Sequence, residues 1–464
     1  MTSEKITSIL DLSTTTNDRI AADRDPRVRY ALAVLLGLPV GEDLAWPNWL
    51  CYGDIEDMSS QRGVQIVPSG FFAEAYGSPD SLPRPPLAEI GGVPLLYGKP
   101  LVERRGNVLA VQADILASAY FLLARYEEWV RRDVRDEHGR FPGIESLPYR
   151  EKFIHRPIVD EYAELLRGWA KEVGIDLPPP RRQFSILLTH DVDVIGTSLR
   201  PLQPLRSLLS AALGRQSWNQ ALCNAAVAMK WRADPADNIE ELIRLDRSLV
   251  ERTGTDCCRV VYFFQVRHQT PLDANYDLRS PKVRGLLDLI RASGAEIGLH
   301  ASYAAGEDPR LLADERAELE QVGGMPIIKN RHHFLRWREP EQGAVIAAAG
   351  IAWDSTLGYA DVAGFRLGVC HQIPLFDPAA RRLLEIEEHP LVMMDCSFST
   401  PKYMNLTEEA AFDSIRGMAD VTSRYGGELA LLWHNHMLAP YAGYHAHLYP
   451  RILTYLADLL SRAR

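Results

Sequence analysis

Phe184-Ser-Ile-Leu-Leu-Thr-His-Asp-Val-Asp193 is an apolar run that turns polar at its C-terminal end. Runs of this kind belong to parallel sheets buried on both faces, whose active sites gather where the strands end. Side chains alternate along a strand, so Thr189, Asp191 and Asp193 share one side while His190 and Val192 take the other. Two carboxylates then face one point. Ionised acids held that close repel one another, so the arrangement calls for a cation or a shared proton between them.

Downstream of this strand, apolar runs and amphipathic stretches alternate. Strands are expected at Val260–Val266, Ala295–His300, Pro326–Phe334, Ile351–Ser355 and Glu428–His434, with an extended segment at Leu383–Asp395. Helices are expected at Pro281–Ala292, Pro309–Gln321, Pro340–Ala349, Glu408–Arg424 and Ala446–Arg462. Repeated βα units of this length make a mostly parallel sheet or barrel. The stretch 195–254 is too long for a simple connection and reads as a helical insertion. Part of it, Leu199–Arg215, mixes Leu and Ala with Arg200, Arg206 and Arg215, a pattern that suits weak contact with an anionic membrane surface; a lid or a packing helix is the plainer reading.

Upstream, Pro178-Pro-Pro-Arg-Arg182 is a stiff connector that ends a first unit of about 180 residues. This unit reads as a smaller α+β domain, 1–180, ahead of a barrel-sized unit at 183–464. It has a buried helix near Tyr30–Val40, short strands at Val64–Pro68 and Val93–Tyr97, and a long helix over Ala113–Arg132. Ile115, Ala119, Leu122, Tyr126 and Trp129 form that helix's apolar stripe, and the pairs Glu127/Arg131 and Glu128/Arg132 are expected to face solvent. The charged loop Asp136–Pro142 is expected to face water rather than to cover its neighbour.

The chain has 464 residues, 46% of them hydrophobic and 24% charged, and a net charge of −10. That excludes disorder as the main state and argues against a nucleic-acid partner. Met1–Asp18 lacks the pattern of a secretory signal, no transmembrane segment is expected, and the six cysteines show no CxxC spacing. A cytoplasmic enzyme is the expectation.

Four polar clusters fall at strand ends: Asp191 with Asp193, His300, Arg331 to His333, and His434 to His436. Strand ends converge on one mouth in a barrel, so residues distant in sequence can share a site. In order and content these clusters resemble the polysaccharide deacetylase family (carbohydrate esterase family four). Thr189-His-Asp-Val-Asp193 is similar to its first motif, His300-Ala-Ser-Tyr-Ala304 to its histidine motif, Arg331-His-His-Phe334 to its arginine strand, Trp353-Asp-Ser-Thr356 to its Asp segment and Leu431-Leu-Trp-His434 to its last motif.

The resemblance implies a distorted (β/α) barrel and a metal-dependent hydrolase. It gives Asp191 the role of general base, Arg331 that of orienting it, and His434 that of the acid that protonates the departing amine. Asp193 and His300 become ligands of a divalent metal, zinc first, with cobalt, nickel or manganese as alternatives. The family's third ligand, a His four residues after the first, is Ala304 here. Catalytic zinc usually has three protein ligands, and His333, on the same strand side as Arg331, is the replacement candidate; His190 and Ser302 are weaker ones. Tyr303, Asp354 and Trp433 are candidates to line a sugar pocket, with core packing the alternative for Trp433. His436 is expected to assist or to line the rim, and His445 and His447 to lie on the surface.

The implied reaction removes an N-acetyl group from a sugar, carried on a nucleotide or a lipid-linked glycan, in envelope polysaccharide biosynthesis. Hydrolysis of a small cyclic amide or imide is an alternative. A catalytically inactive glycan- or partner-binding relative is another, favoured by Ala304 and opposed by the retention of Asp191, Arg331 and His434.

Overall fold

A computed structural model describes residues 24–463 apart from 42–44, 54–61, 74, 197–202, 215–216, 229–233, 235–236, 268–269 and 307. The N-terminal part contains β1 (Leu50–Tyr52), β2 (Gly63–Ile66), β3 (Ala88–Ile90), β4 (Val93–Leu95), β5 (Gly98–Arg105) and β6 (Val108–Ala113). Four of them make a sheet in the order β1-β2-β6-β5, and β3 with β4 forms a separate hairpin. The two short strands expected from sequence therefore lie in different sheets. Helices Pro26–Leu36, Ile115–Leu123 and Ile158–Glu172 bury their apolar residues with these strands in one core.

The long helix expected over Ala113–Arg132 is broken. Asp114 caps its start, accepting from the Ala117 N–H, and the first piece ends at Leu123. Arg125 takes a left-handed conformation (φ 50°), after which a short helix runs Tyr126–Val130. The break turns Glu127 and Glu128 inward, contrary to the expectation that they face solvent; both are under 7% exposed. Glu128 meets Arg366, 238 residues away, in a buried two-pronged ion pair with its shorter arm at 2.6 Å. A local i,i+4 pattern could not reveal so distant a partner. Arg125 likewise pairs with buried Glu339.

The second part is built on one curled sheet. Its strands are β7 (Ser185–Val192), β8 (Cys258–Phe264), β9 (Glu296–Ala301), β10 (Lys329–His332), β11 (Trp353–Asp354), β12 (Ile373–Asp377), β13 (Arg382–Glu388), β14 (Leu391–Met394) and β15 (Glu428–Leu432). The order is β12-β13-β11-β10-β9-β8-β7-β15-β14. All neighbours are parallel except the β12–β13 pair.

Connectivity dictates the curl. β13 stands second in the sheet and β14 last, seven steps apart, which is about 34 Å if the sheet were flat. Yet β13 ends at Glu388 and β14 begins at Leu391, and three residue steps reach at most about 10.5 Å. The sheet must bend round until its two ends meet. One extended segment thus pairs with β11 through its first half and with β15 through its second. His389 marks the meeting point, with its Nδ1 2.5 Å from Glu428 on β15. The α/β class and the mostly parallel sheet are as expected from the repeat of βα units; the sheet is curled and mixed, with an antiparallel edge strand.

The insertion after β7 contains helices Gln203–Ala212, Trp218–Ala228 and Ile239–Thr253. Arg200 and Arg215, named in the membrane-surface reading, lie outside the described residues. No helix among those described is long and apolar enough to cross a membrane.

Candidate active site

At the C-terminal ends of β7, β9 and β10 and just past β15, polar side chains from all four segments converge. β7 delivers Asp191, and Asp193 follows one residue past its end. His190 points the other way, as alternation requires: its Nδ1 lies 2.8 Å from the Trp433 carbonyl and its Nε2 3.1 Å from Asp246.

Asp193 is the hub. Its Oδ1 lies 3.4 Å from His300 Nε2 and 3.7 Å from His333 Nε2, and its Oδ2 lies 3.6 Å from His434 Nε2. Gln265 donates to Oδ1 at 3.1 Å. Burial pushes the Asp193 carboxyl up, but His333, His300 and His434 outweigh it and hold it well below the usual carboxylate range.

His300 is almost fully buried. Its Nδ1 lies 2.8 Å from the Arg331 carbonyl, which can only accept, so the ring hydrogen sits there and Nε2 keeps its lone pair. That Nε2 is buried without a hydrogen-bond partner and faces both acids, Asp191 at 3.5 Å and Asp193 at 3.4 Å. Burial disfavours a proton on His300, and Asp191 with Asp193 more than offsets it, raising the imidazole's pKa.

His333 does not lie on a strand, because β10 stops at His332 and a short 3-10 turn begins at His333. Phe334 and Leu335 there take left-handed conformations (φ 60° and 53°), a costly backbone for side chains of that size and a kind of strain that clusters at functional sites. The turn brings His333 Nε2 back towards Asp193, while its Nδ1 lies 3.7 Å from Asp273.

Asp193, His300 and His333 each offer one ligand atom, and the three atoms lie within 4.8 Å of one another. A tetrahedral ion bound at about 2.0–2.1 Å spaces its ligand atoms by about 3.3 Å. The 3.4 and 3.7 Å separations of Asp193 Oδ1 from His300 and His333 are close to that spacing. The orphaned His300 Nε2 and the carboxylate hub fit a divalent cation; a cation so bound would find its imidazole ligands neutral.

Beside this group, Arg331 is fixed from four directions. Its Nη1 donates to Thr189 Oγ1 at 2.6 Å and to Asp191 Oδ1 at 3.3 Å. Nε donates to the Ser355 carbonyl at 2.8 Å and Nη2 to Ser355 Oγ at 2.7 Å. The guanidinium lies over the Phe263 ring, for which Gly298 makes room: a Cβ there would come within 2.5 Å of the ring.

On the opposite side, His434 Nδ1 lies 2.8 Å from Asp395 Oδ1, and its backbone N–H donates to Asp395 Oδ2 at 2.6 Å. Burial lowers the His434 pKa, but Asp395 and Cys396 outweigh it and raise it well above the ordinary value. Asp395 is the residue that sequence reasoning missed. Its signal was present, since Leu391-Val-Met-Met-Asp395 repeats the apolar-run-then-acid pattern of 184–193.

A cleft of about 200 Å3 opens onto these groups, lined also by Arg140, Phe334, Leu335, Ala360, Met394, Cys396, Tyr403 and His436. It is smaller than the roughly 300–1,000 Å3 of drug-sized sites, so it admits one small group of a larger molecule. Arg140 comes from the Asp136–Pro142 loop, which covers the neighbouring unit instead of facing water. Arg140 donates to Asp136 at 2.7 Å and to the Phe334 carbonyl at 2.8 Å, and the His138 ring packs on Phe334 at 4.4 Å.

Three candidates for the sugar pocket lie outside the cleft. Asp354 is buried behind Arg331, accepting from Asn330 at 2.6 Å and the Thr356 N–H at 2.8 Å. Trp433 is fully buried against Tyr449 and His445. Tyr303 stands beside the cleft, its hydroxyl 3.3 Å from His138 Nδ1. His445, expected at the surface, is buried against Ser399, whereas His447 is exposed.

A family model described as a family of unknown function (DUF7033) matches residues 14–174, outside the strands that carry the site. A search of curated proteins by sequence returns no match. Among solved structures, the chain is similar to one described as a "putative polysaccharide deacetylase" from Mycobacterium smegmatis, at 15% identity and a TM-score of 0.37, over 60% of this chain and 84% of that one. The functional reading rests on the geometry of the site.

Proposed function

We propose that this chain is a metal-dependent amide hydrolase that removes an N-acetyl group from a sugar. The observation that carries the reading is the grouping of Asp193, His300 and His333 at ligand spacing, flanked by Asp191 with Arg331 on one side and His434 with Asp395 on the other. Zinc, or cobalt, nickel or manganese in its place, would supply Lewis acidity towards the amide carbonyl and the attacking water.

The chain's own groups do the rest. Asp191, held by Arg331, accepts the proton of the attacking water. His434, held as an imidazolium by Asp395, gives its Nε2 proton to the departing amine, which cannot leave as an anion. The N–H of His332, beside Arg331, is donated to Thr356 Oγ1 at 3.1 Å, so it is not available to a tetrahedral oxyanion. The small cleft takes the acetyl group while the sugar lies across the mouth under Arg140. A lipid-linked or nucleotide-linked glycan destined for the envelope suits this arrangement.

The test is acetate release from N-acetylated sugars by protein loaded with each of the four metals. Acetate formation that disappears in Asp191→Asn supports the reading. Ring opening of a small cyclic imide without acetate release replaces it with the alternative hydrolase. Neither activity, with metal bound, makes the chain a binding protein.

A further inference from the structure

Between Asp193 and Asp234 the chain carries Arg200, Arg206, Arg215, Lys230 and Arg232 and no acidic residue, in a protein whose net charge is −10. Within this cationic stretch the helices Gln203–Ala212 and Trp218–Ala228 form a hairpin that is apolar on the wrong side for water. Small side chains are turned inward: Ser207 is 5% exposed, Ala211 4% and Ala221 0%. Large apolar ones are turned outward: Leu205 is 67% exposed, Leu209 63%, Leu213 59%, Trp218 55% and Leu222 58%. Soluble helical hairpins do the reverse, burying leucines against each other. Small residues at the helix contact and leucines outside is the pattern of helices that meet lipid.

We infer that this hairpin lies in the interface of an anionic bilayer, with its leucines and Trp218 among the acyl chains and Arg206 at the headgroups. The charge decides the occupant. Five cations without an acid, on a protein otherwise negative, complement anionic lipid, and exposed leucines have no place on a phosphate backbone of nucleic acid. Position agrees. The insertion leaves the C-terminal end of β7, and exposed Leu272 and Tyr441 lie on the connections after β8 and β15, the strands on either side of β7. One sector of the rim that carries the candidate active site is therefore the sector turned to the membrane. The inference does not depend on the hydrolase reading, because binding is read without metal or substrate.

The experiment is sedimentation of the full chain with vesicles of phosphatidylcholine containing about one-third phosphatidylglycerol, against pure phosphatidylcholine. The wild type is expected to sediment with the anionic vesicles and to be released by salt. Leu209→Ser with Trp218→Ser is expected to lower the bound fraction by about tenfold. Arg206→Gln with Arg215→Gln is expected to do so only at low salt. Leu209 and Trp218 are on the outside, so the melting temperature of the serine variant should match the wild type. Sedimentation of the serine variant equal to that of the wild type overturns the inference, as does a wild type that stays in solution with both vesicles. A dimer on gel filtration that the serine substitutions dissolve, without vesicle binding, also overturns it and gives the surface to a second copy of the chain.

Discussion

Replacing Asp395 by Asn leaves the shape of the site nearly unchanged and removes one charge, which makes it a sharp test of His434 as proton donor. The carboxylate is fully buried and lies 2.8 Å from His434 Nδ1. At that separation, and at an effective dielectric constant near 20, the attraction in the charged form is about 6 kcal/mol. Asn keeps one accepting oxygen where Asp395 uses two, and it does not favour the imidazolium, while burial lowers the His434 pKa. General acid catalysis is worth about 10²–10⁴ in rate, so kcat for amide hydrolysis should fall about 10³-fold with KM little changed. An activated ester such as 4-nitrophenyl acetate has a leaving group that departs without a proton. Its turnover should stay within about threefold of wild type. Acetate release from an N-acetylated sugar oligomer and nitrophenolate release, measured on the same preparation, give the two rates. Equal losses on both substrates, or an amide rate within about threefold of wild type, would refute His434 as the acid.

Further outcomes follow from other contacts. Arg331→Lys gives up the fork that joins Asp191, Thr189 and Ser355; acetate release should drop about 10²-fold while metal content is retained. Arg140→Ala opens the mouth without touching the acid or base, so KM should rise about tenfold with little change in kcat in steady-state assays. Arg366→Ala strands Glu128 as a buried unpaired charge and should cost about 3–5 kcal/mol in urea unfolding.

Much of this site could be read from the chain because its residues sit at ends of apolar runs, and alternation alone turns His190 away from Asp191 and Asp193. With Ala in place of His at 304, His333 was the candidate for third ligand, and it does lie with Asp193 and His300, although by a route alternation does not describe. The strand stops at His332, and strained Phe334 and Leu335 swing the imidazole inward. Long-range pairing was beyond reach. Nothing local marks Glu128 as the partner of Arg366, Arg140 as part of the cleft, or the segment through His389 as the seam where the sheet's ends meet. Asp395 was overlooked because the run before it read only as extended chain. Asp354 shows the opposite error, since it is close in sequence to functional side chains yet holds a loop, whereas for Trp433 the core-packing alternative is the one the fold takes.

The most direct measurement is metal content by elemental analysis of protein purified without chelator. The account predicts about one divalent ion per chain in the wild type and in Asp395→Asn, and loss of that ion in Asp193→Ala, His300→Ala and His333→Ala alike. A wild type that binds no ion when supplied with zinc would contradict it. Retention of the ion in His333→Ala would contradict it in one particular, by showing that the third ligand is another residue.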